Sequence, residues 1–196
     1  MLDKEKAINS ARIIADEYYQ EWVEYLKKIL KKTRQNNFKD PIEIIATQKV
    51  LRDQLERAQE AIKLGKKKLF ELRSSFPDSQ EIEGYERQIF INRSISRIVR
   101  NIADGIAWRV LDYDRPFLRM MAEVKKDPNS VDFQSYAKLS YDYALQVISQ
   151  RGSTVLLNDI TNFLRVGDVT EVGKITIVSE LKYKTKKKKA GGQESI

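Results

Sequence analysis

The sequence predicts an α+β protein in which a long helical region is followed by a small antiparallel β-meander. Apolar residues recur at intervals of three and four through most of the chain up to Gln150, the pattern of amphipathic helices. After Gly152 the composition changes to short runs rich in Val, Ile and Thr with turn residues between them, which is typical of strands. We divide the chain into a helical region (1–112), helices with the meander (113–182) and a basic tail (183–196), which we expect to be disordered.

Two long helices are predicted after an amphipathic first helix over 3–33. The Asp40–Pro41 pair predicts the start of the second, because Pro is favoured in the first turn of a helix. Its apolar residues form a seam with intervals alternating between four and three: Leu51, Leu55, Ala58, Ile62, Leu69 and Leu72, with Gly65 in the skipped position. This pattern resembles a short coiled coil, either a hairpin within the chain or a dimer.

The remaining helices follow breaks in the same pattern. Pro77 ends the second helix, and Asp78 or Ser79 can cap a third over 80–112. Shorter helices are predicted over 117–126 and 133–150, and no strand is predicted before Gln150. Trp22, Trp108 and the tyrosines occur at helical spacing, which favours packing roles over stacking on nucleic-acid bases.

The composition excludes several classes of chemistry. The chain has no Cys and no His, which removes thiol catalysis, Cys/His zinc sites and triads that need imidazole. Without a signal peptide or an apolar run of membrane-spanning length, we expect a cytoplasmic protein. The net charge of +8 favours a polyanionic partner, and much of it comes from Lys182, Lys184, Lys186, Lys187, Lys188 and Lys189.

The most informative segment is KITIVSELKYK, residues 174–184. Side chains alternate between the two faces of a strand, so Ile175, Ile177 and Leu181 share one face, which we expect to pack against helices. Thr176, Val178, Glu180 and Lys182 share the other face. Glu180 and Lys182 are therefore neighbours at the end of a strand.

The position of Asp168 depends on the turn. A three-residue loop at Val172–Gly173–Lys174, with the glycine at positive φ, would place Asp168 opposite Val178 and on the face of Glu180. A two-residue loop would send Asp168 to the opposite face. The three-residue loop would let both carboxylates bind one hard cation, for which carboxylate and carbonyl oxygens are the preferred ligands.

Asp168, eleven intervening residues and then Glu180–Leu181–Lys182 at the end of an apolar strand resemble the PD-(D/E)xK nuclease superfamily. The resemblance implies a restriction-endonuclease-like core that cuts nucleic acid with Mg²⁺ or Mn²⁺. We favour DNA over RNA as its partner, and the sequence does not decide between them. The resemblance implies that Asp168 and Glu180 bind the metal, assisted by the Leu181 carbonyl, and that Lys182 is the catalytic lysine.

The resemblance also implies accessory residues. Asp104, or more weakly Asp112, would supply a further acidic group, and Gln193 matches a glutamine found after the lysine strand in some members. Fourteen residues follow Lys182, fewer than the superfamily's second helix and last strand need. A truncated nuclease, or one whose sheet a partner completes, is therefore expected.

A second hypothesis from the same sequence is a helical interaction module without enzymatic activity. In that case, the lysines of the tail would bind nucleic acid or another acidic partner through charge alone. The helical seam would then serve as a dimer interface. A degenerate nuclease that binds without cutting combines both hypotheses.

Overall fold

The computed structural model describes residues 20–21, 23–29, 31, 40–76, 79, 81–122, 133–164 and 166–181. The helical residues between 20 and 31 form α1. The other helices are α2 (Pro41–Ser75), α3 (Glu81–Val110), α4 (Arg115–Ala122) and α5 (Phe133–Arg151). The strands are β1 (Thr154–Leu157), β2 (Val169–Val172) and β3 (Thr176–Ser179). The start of the first predicted helix, Trp22 and the basic tail lie outside the described residues.

Helix α2 begins where the sequence predicts. Asp40 is the N-cap, and its carboxylate accepts a hydrogen bond of 2.9 Å from Ile42 N, while Pro41 occupies the first turn. At the start of α3, the Ser79 hydroxyl accepts a hydrogen bond of 3.3 Å from Glu81 N. The predicted cap of the third helix is confirmed at Ser79.

Helices α2 and α3 form a hairpin within the chain. The apolar seam of α2 faces α3, and Gly65 allows the helices to approach closely, because a Cβ there would lie 3.0 Å from Ile89 Cγ1. Between residues 59 and 94 the buried residues are Gly65 and Ile89 among those described, whereas Leu64, Phe70 and Phe90 are exposed. We call this part of the hairpin the arm.

The strands form one antiparallel sheet in the order β1-β2-β3. In β1–β2, Leu157 pairs with Val169; in β2–β3, Val169 pairs with Ser179. The segment between β1 and β2 begins with a 3₁₀ helix, Asn158–Ile160, which is followed by an irregular connection to β2. The meander therefore has three short strands, with β2 in the centre.

Helix α2 closes the outer edge of β1 through one side chain. Gln48 Nε2 donates to Val155 O at 2.8 Å, and Gln48 Oε1 accepts from Leu157 N at 2.7 Å. The buried amide thus makes the two hydrogen bonds that a further strand would make with β1.

The helices and the sheet share one hydrophobic core. A single cluster of buried side chains includes Ile45 and Leu55 of α2, Ile102 of α3, Val147 of α5 and Leu157 of β1. The α2–α3 hairpin thus extends from this core into the arm. Within the described residues, no helix is long and apolar enough to cross a membrane.

We expect Gln48→Met to lower the free energy of unfolding by about 2–4 kcal/mol, because it leaves one carbonyl and one N–H of β1 buried without partners. Gln54→Met is the matched control on the same helix. Gln54 Oε1 is buried and has no hydrogen-bond partner in the described structure, so this change should be neutral or stabilising. Urea denaturation of both variants measures the difference; equal losses would contradict the role of Gln48.

Candidate metal site at the open end of the hairpin

The turn between β2 and β3 is a three-residue loop, but it is shifted by one residue from the prediction. Val172 pairs with Thr176, so the loop is Gly173–Lys174–Ile175. Gly173 is not at positive φ, contrary to the prediction. The sequence is compatible with the predicted and with the observed loop. The pairing that forms places Val178 opposite Thr170, whereas the prediction placed it opposite Asp168.

This register brings the two predicted carboxylates to the same end of the hairpin. Asp168 directly precedes β2 and Glu180 directly follows β3, and Asp168 Oδ2 lies 2.6 Å from Leu181 N. The predicted opposite residue was wrong, and the shared face of Asp168 and Glu180 stays a prediction. Glu180 is exposed and Asp168 is half-buried. Lys182 lies outside the described residues.

The prediction that Ile175 and Ile177 pack against helices is wrong. Ile175 is 75% exposed and Ile177 is 43% exposed, whereas Val178, on the other face, packs against the core. The space beside Ile177 is polar, because the opposite residue, Glu171, is buried in an ion pair of 2.9 Å with Arg151 of α5. Leu181 does contact the core, as predicted.

Asp168 is held at three points. Its N–H donates to Ser179 O at 2.8 Å, and its carbonyl accepts from Asn158 N at 3.0 Å. Its Oδ2 accepts a hydrogen bond of 2.6 Å from Leu181 N. In a regular antiparallel ladder, a backbone carbonyl of the neighbouring strand would accept this hydrogen bond. Asp168 and Val169 both lie against Ser179, so the strand starts with a bulge, a feature that re-aims side chains at sheet ends.

Gly167 makes this bulge sterically feasible. Its φ is +65°, and a Cβ would lie 2.7 Å from both Ser179 O and Val178 Cγ1. Any side chain at residue 167 would therefore collide with β3. The glycine is therefore a requirement of the way that the loop passes over the neighbouring strand.

Asn158 is a structural residue of the site that sequence reasoning missed. Its Nδ2 donates to Val166 O at 2.7 Å, and its Oδ1 accepts from Thr170 Oγ1 at 2.9 Å. Together with its N–H to Asp168 O, these bonds hold the residues on both sides of Asp168. The signal in the sequence was a polar amide directly after an apolar strand, and the structure shows that this position is buried.

Two arginines fix the connection between β1 and β2 to the helices. Arg52 of α2 forms a buried ion pair with Asp159, at 2.6 Å from Nη2 to Oδ1. Arg100 of α3 donates to Asp159 O at 3.0 Å and to Thr161 O at 3.1 Å. The connection is irregular, yet α2 and α3 determine its position.

Asp104, the predicted further ligand, is part of the same anchoring. Its carboxylate accepts hydrogen bonds of 2.7 Å from both Asn162 N and Asn162 Nδ2. Burial raises the pKa of Asp104, and the two bonds from Asn162 act in the opposite direction. Asp112, the weaker choice, is exposed in the turn after α3 at a φ of 48°.

The candidate site thus consists of Asp168, Glu180 and the backbone of Leu181. In the part of the chain that the structure describes, no three acidic residues are close enough to hold a metal ion together, so Asp104 does not join the other two. Two carboxylates and a carbonyl can provide part of the oxygen coordination of Mg²⁺, which commonly keeps several water ligands. The predicted tail lysines and Gln193 lie outside the described residues.

We expect Gly167→Ala to lower the free energy of unfolding by about 2–4 kcal/mol, the combined effect of a left-handed alanine and a collision with β3. Gly152→Ala is the control. Gly152 has a φ of +64°, but a Cβ at this position would have nothing within 4 Å, so only the conformational cost of about 1–2 kcal/mol should remain. Equal losses in denaturant unfolding would contradict the close approach of Gly167.

We expect Asp104 to make folding stability depend on pH. Because burial raises its pKa in the folded state, its contribution is full below its ordinary pKa and declines as the pH rises through the folded value. The free energy of unfolding of the native chain minus that of Asp104→Asn should therefore decrease over this acidic range and stay constant above it. A difference that increases with pH would contradict the raised pKa.

Comparisons of the chain with known proteins identify no family. No protein-family model matches it, and neither the curated proteins nor the solved structures give a match. The function of the site must therefore be argued from its residues and their geometry.

Proposed function

We propose that the protein is a metal-dependent nuclease of the PD-(D/E)xK type, which hydrolyses phosphodiester bonds of DNA or RNA, with DNA the favoured substrate. The observation that carries the proposal is the hydrogen bond of 2.6 Å from Leu181 N to Asp168 Oδ2, which places the Asp168 carboxylate beside the backbone of Glu180–Leu181 at one end of an antiparallel hairpin. The meander order β1-β2-β3 is the order that the resemblance implies for the superfamily core. Under the proposal, this core is restriction-endonuclease-like.

The residues present fit a hard divalent cation. Asp168 uses one carboxylate oxygen to bind Leu181 N, and the second oxygen of a carboxylate can bind a cation at the same time. Glu180 is exposed, so a cation can reach it without removing a packed group. Bound Mg²⁺ would activate a water molecule and neutralise charge on the phosphate.

Each residue has a distinct role under this proposal. Asp168 and Glu180 hold the cation, and the Leu181 carbonyl completes the protein ligands. The hydrogen bond from Leu181 N to Asp168 fixes the distance between the two strands where the ligands lie. Lys182, the next residue of the sequence, would orient the attacking water or stabilise charge in the transition state.

One observation favours the second candidate function, a nucleic-acid-binding module without catalysis. Asp168 already closes the end of the hairpin by accepting from Leu181 N, which is a structural role that needs no metal. In that case, binding would come from the lysines of the sequence after Glu180 and would weaken steeply with salt.

A cleavage assay with plasmid, linear DNA and RNA separates the two functions. With Mg²⁺ or Mn²⁺, we expect EDTA-sensitive cutting by the native chain and a loss of rate of about a hundredfold or more in Asp168→Asn, Glu180→Gln and Lys182→Ala. Asp168→Asn is the most informative change, because the amide oxygen can still accept from Leu181 N while the charge is lost.

Glu83→Gln, an exposed carboxylate in the first turn of α3, is the matched control and should cut at the native rate. The proposal fails if all four variants and the native chain give the same product pattern, which would trace the cutting to contamination. Salt-sensitive binding that ignores EDTA and survives Glu180→Gln, with no cleavage, would support the binding module.

A further inference from the structure

The two outer edges of the sheet differ in their hydrogen bonding. The edge of β1 is closed by the Gln48 amide. Strand β3 lies at the other edge, and its four residues, TIVS, include no charge and no proline. Proteins usually protect edge strands with such residues, because an open edge pairs readily with another strand. Ile175 and Ile177, both exposed, add apolar surface beside this edge.

The alternation of hydrogen bonds determines which groups of β3 point outward. Ser179 O accepts from Asp168 N, and Leu181 N donates to the Asp168 carboxylate, so the odd-numbered residues direct their backbone groups toward β2. By the antiparallel pattern, the N–H and C=O groups of Thr176 and Val178 point to the outer edge of β3, with which no other strand of the described residues pairs. A pairing strand must bind these two residues.

We infer that a second copy of this chain pairs with this edge, β3 against β3, in antiparallel orientation about a two-fold axis at Ile177. In this register Thr176 exchanges backbone hydrogen bonds with Val178 of the partner subunit, as the outward groups require. Ile177 lies opposite Ile177 of the partner subunit, which covers exposed apolar surface on both copies.

Charge complementarity selects this register. Lys174, in the turn before β3, and Glu180, directly after β3, are the charged residues nearest to the strand on either side. In this register each Lys174 comes to the same end of the paired strands as Glu180 of the partner subunit, so opposite charges meet at both ends. Because only even shifts keep outward groups paired, the nearest alternatives are displaced by two residues. Both displacements separate Lys174 from Glu180 and remove both ion pairs.

The inference does not rest on the proposed nuclease activity, since its readout is oligomeric state. It does affect the same end of the hairpin, because Glu180 would be beside a lysine of the other copy. A dimer without cleavage would support the inference and refute the nuclease proposal. Cleavage by a monomer would refute the inference and support the nuclease proposal.

Charge exchange is the first test, by analytical ultracentrifugation of the full chain. We expect the native protein to sediment with twice the monomer mass at micromolar concentration. Lys174→Glu and Glu180→Lys should each weaken the dimer about tenfold, since each places like charges opposite one another twice. The double variant Lys174→Glu/Glu180→Lys should recover dimerisation to within about threefold of the native value.

Cysteine crosslinking is the second test, and the absence of native Cys makes it specific. Ile177→Cys should form a disulfide-linked dimer on mild oxidation, because facing residues in such a pair have Cα atoms about 4.5 Å apart. Ile175→Cys is the control. Although Ile175 is more exposed, its two copies would be about 13 Å apart along the paired strands and should not crosslink.

Three outcomes would overturn the inference. One is a native chain that stays monomeric up to about 1 mM. Another is a dimer that the double variant does not restore, or one in which Ile175→Cys crosslinks as readily as Ile177→Cys. The third is a monomer that dimerises only after deletion of residues 182–196, which would show that this segment, and not a second copy, occupies the edge.

Discussion

The insertion of one side-chain amide into the edge of the sheet is the constraint on which the arrangement depends. Gln48 satisfies a carbonyl and an N–H of β1 from a helix, so α2 and the sheet are fixed both along the strand and across it. The three strands are short, and α2 makes hydrogen bonds to β1 that a fourth strand would otherwise make. The ion pair from Arg52 to Asp159, one turn further along α2, extends the same attachment to the connection that leads to Asp168.

The same attachment holds the candidate site in position. Asp168 is at the end of an irregular connection, where side chains are usually less well positioned than on strands. Here Asn158 bonds to the residues that flank Asp168, while Arg100 and Asp104 of α3 bind the backbone of Asp159, Thr161 and Asn162. The anchoring polar groups are largely buried, where each one left unsatisfied would destabilise the fold.

Much of the fold could be predicted from local signals. Asp40–Pro41 and Ser79 determine where helices begin, and the apolar seam of α2 determines which face meets α3. The faces of β3 could not be predicted, because alternation specifies which residues share a face and does not specify which face is covered. The ion pair of Glu171 with Arg151, distant in sequence, determines that. Asn158 and Gln48 were also missed, since a buried amide and a solvated amide look alike until its partners are known.

The arm of the α2–α3 hairpin has a consequence for motion. Beyond Ala58 the two helices bury only Gly65 and Ile89 among the described residues, so few apolar contacts hold the distal turns together. Amide protons there should exchange with solvent through local separation of the two helices, at a free energy well below that of global unfolding. The half near the sheet is fastened by Gln48, Arg52 and Arg100 and should exchange only when the whole domain opens. One continuous pair of helices would thus contain two cooperative units, with the boundary near the last residue that the core buries.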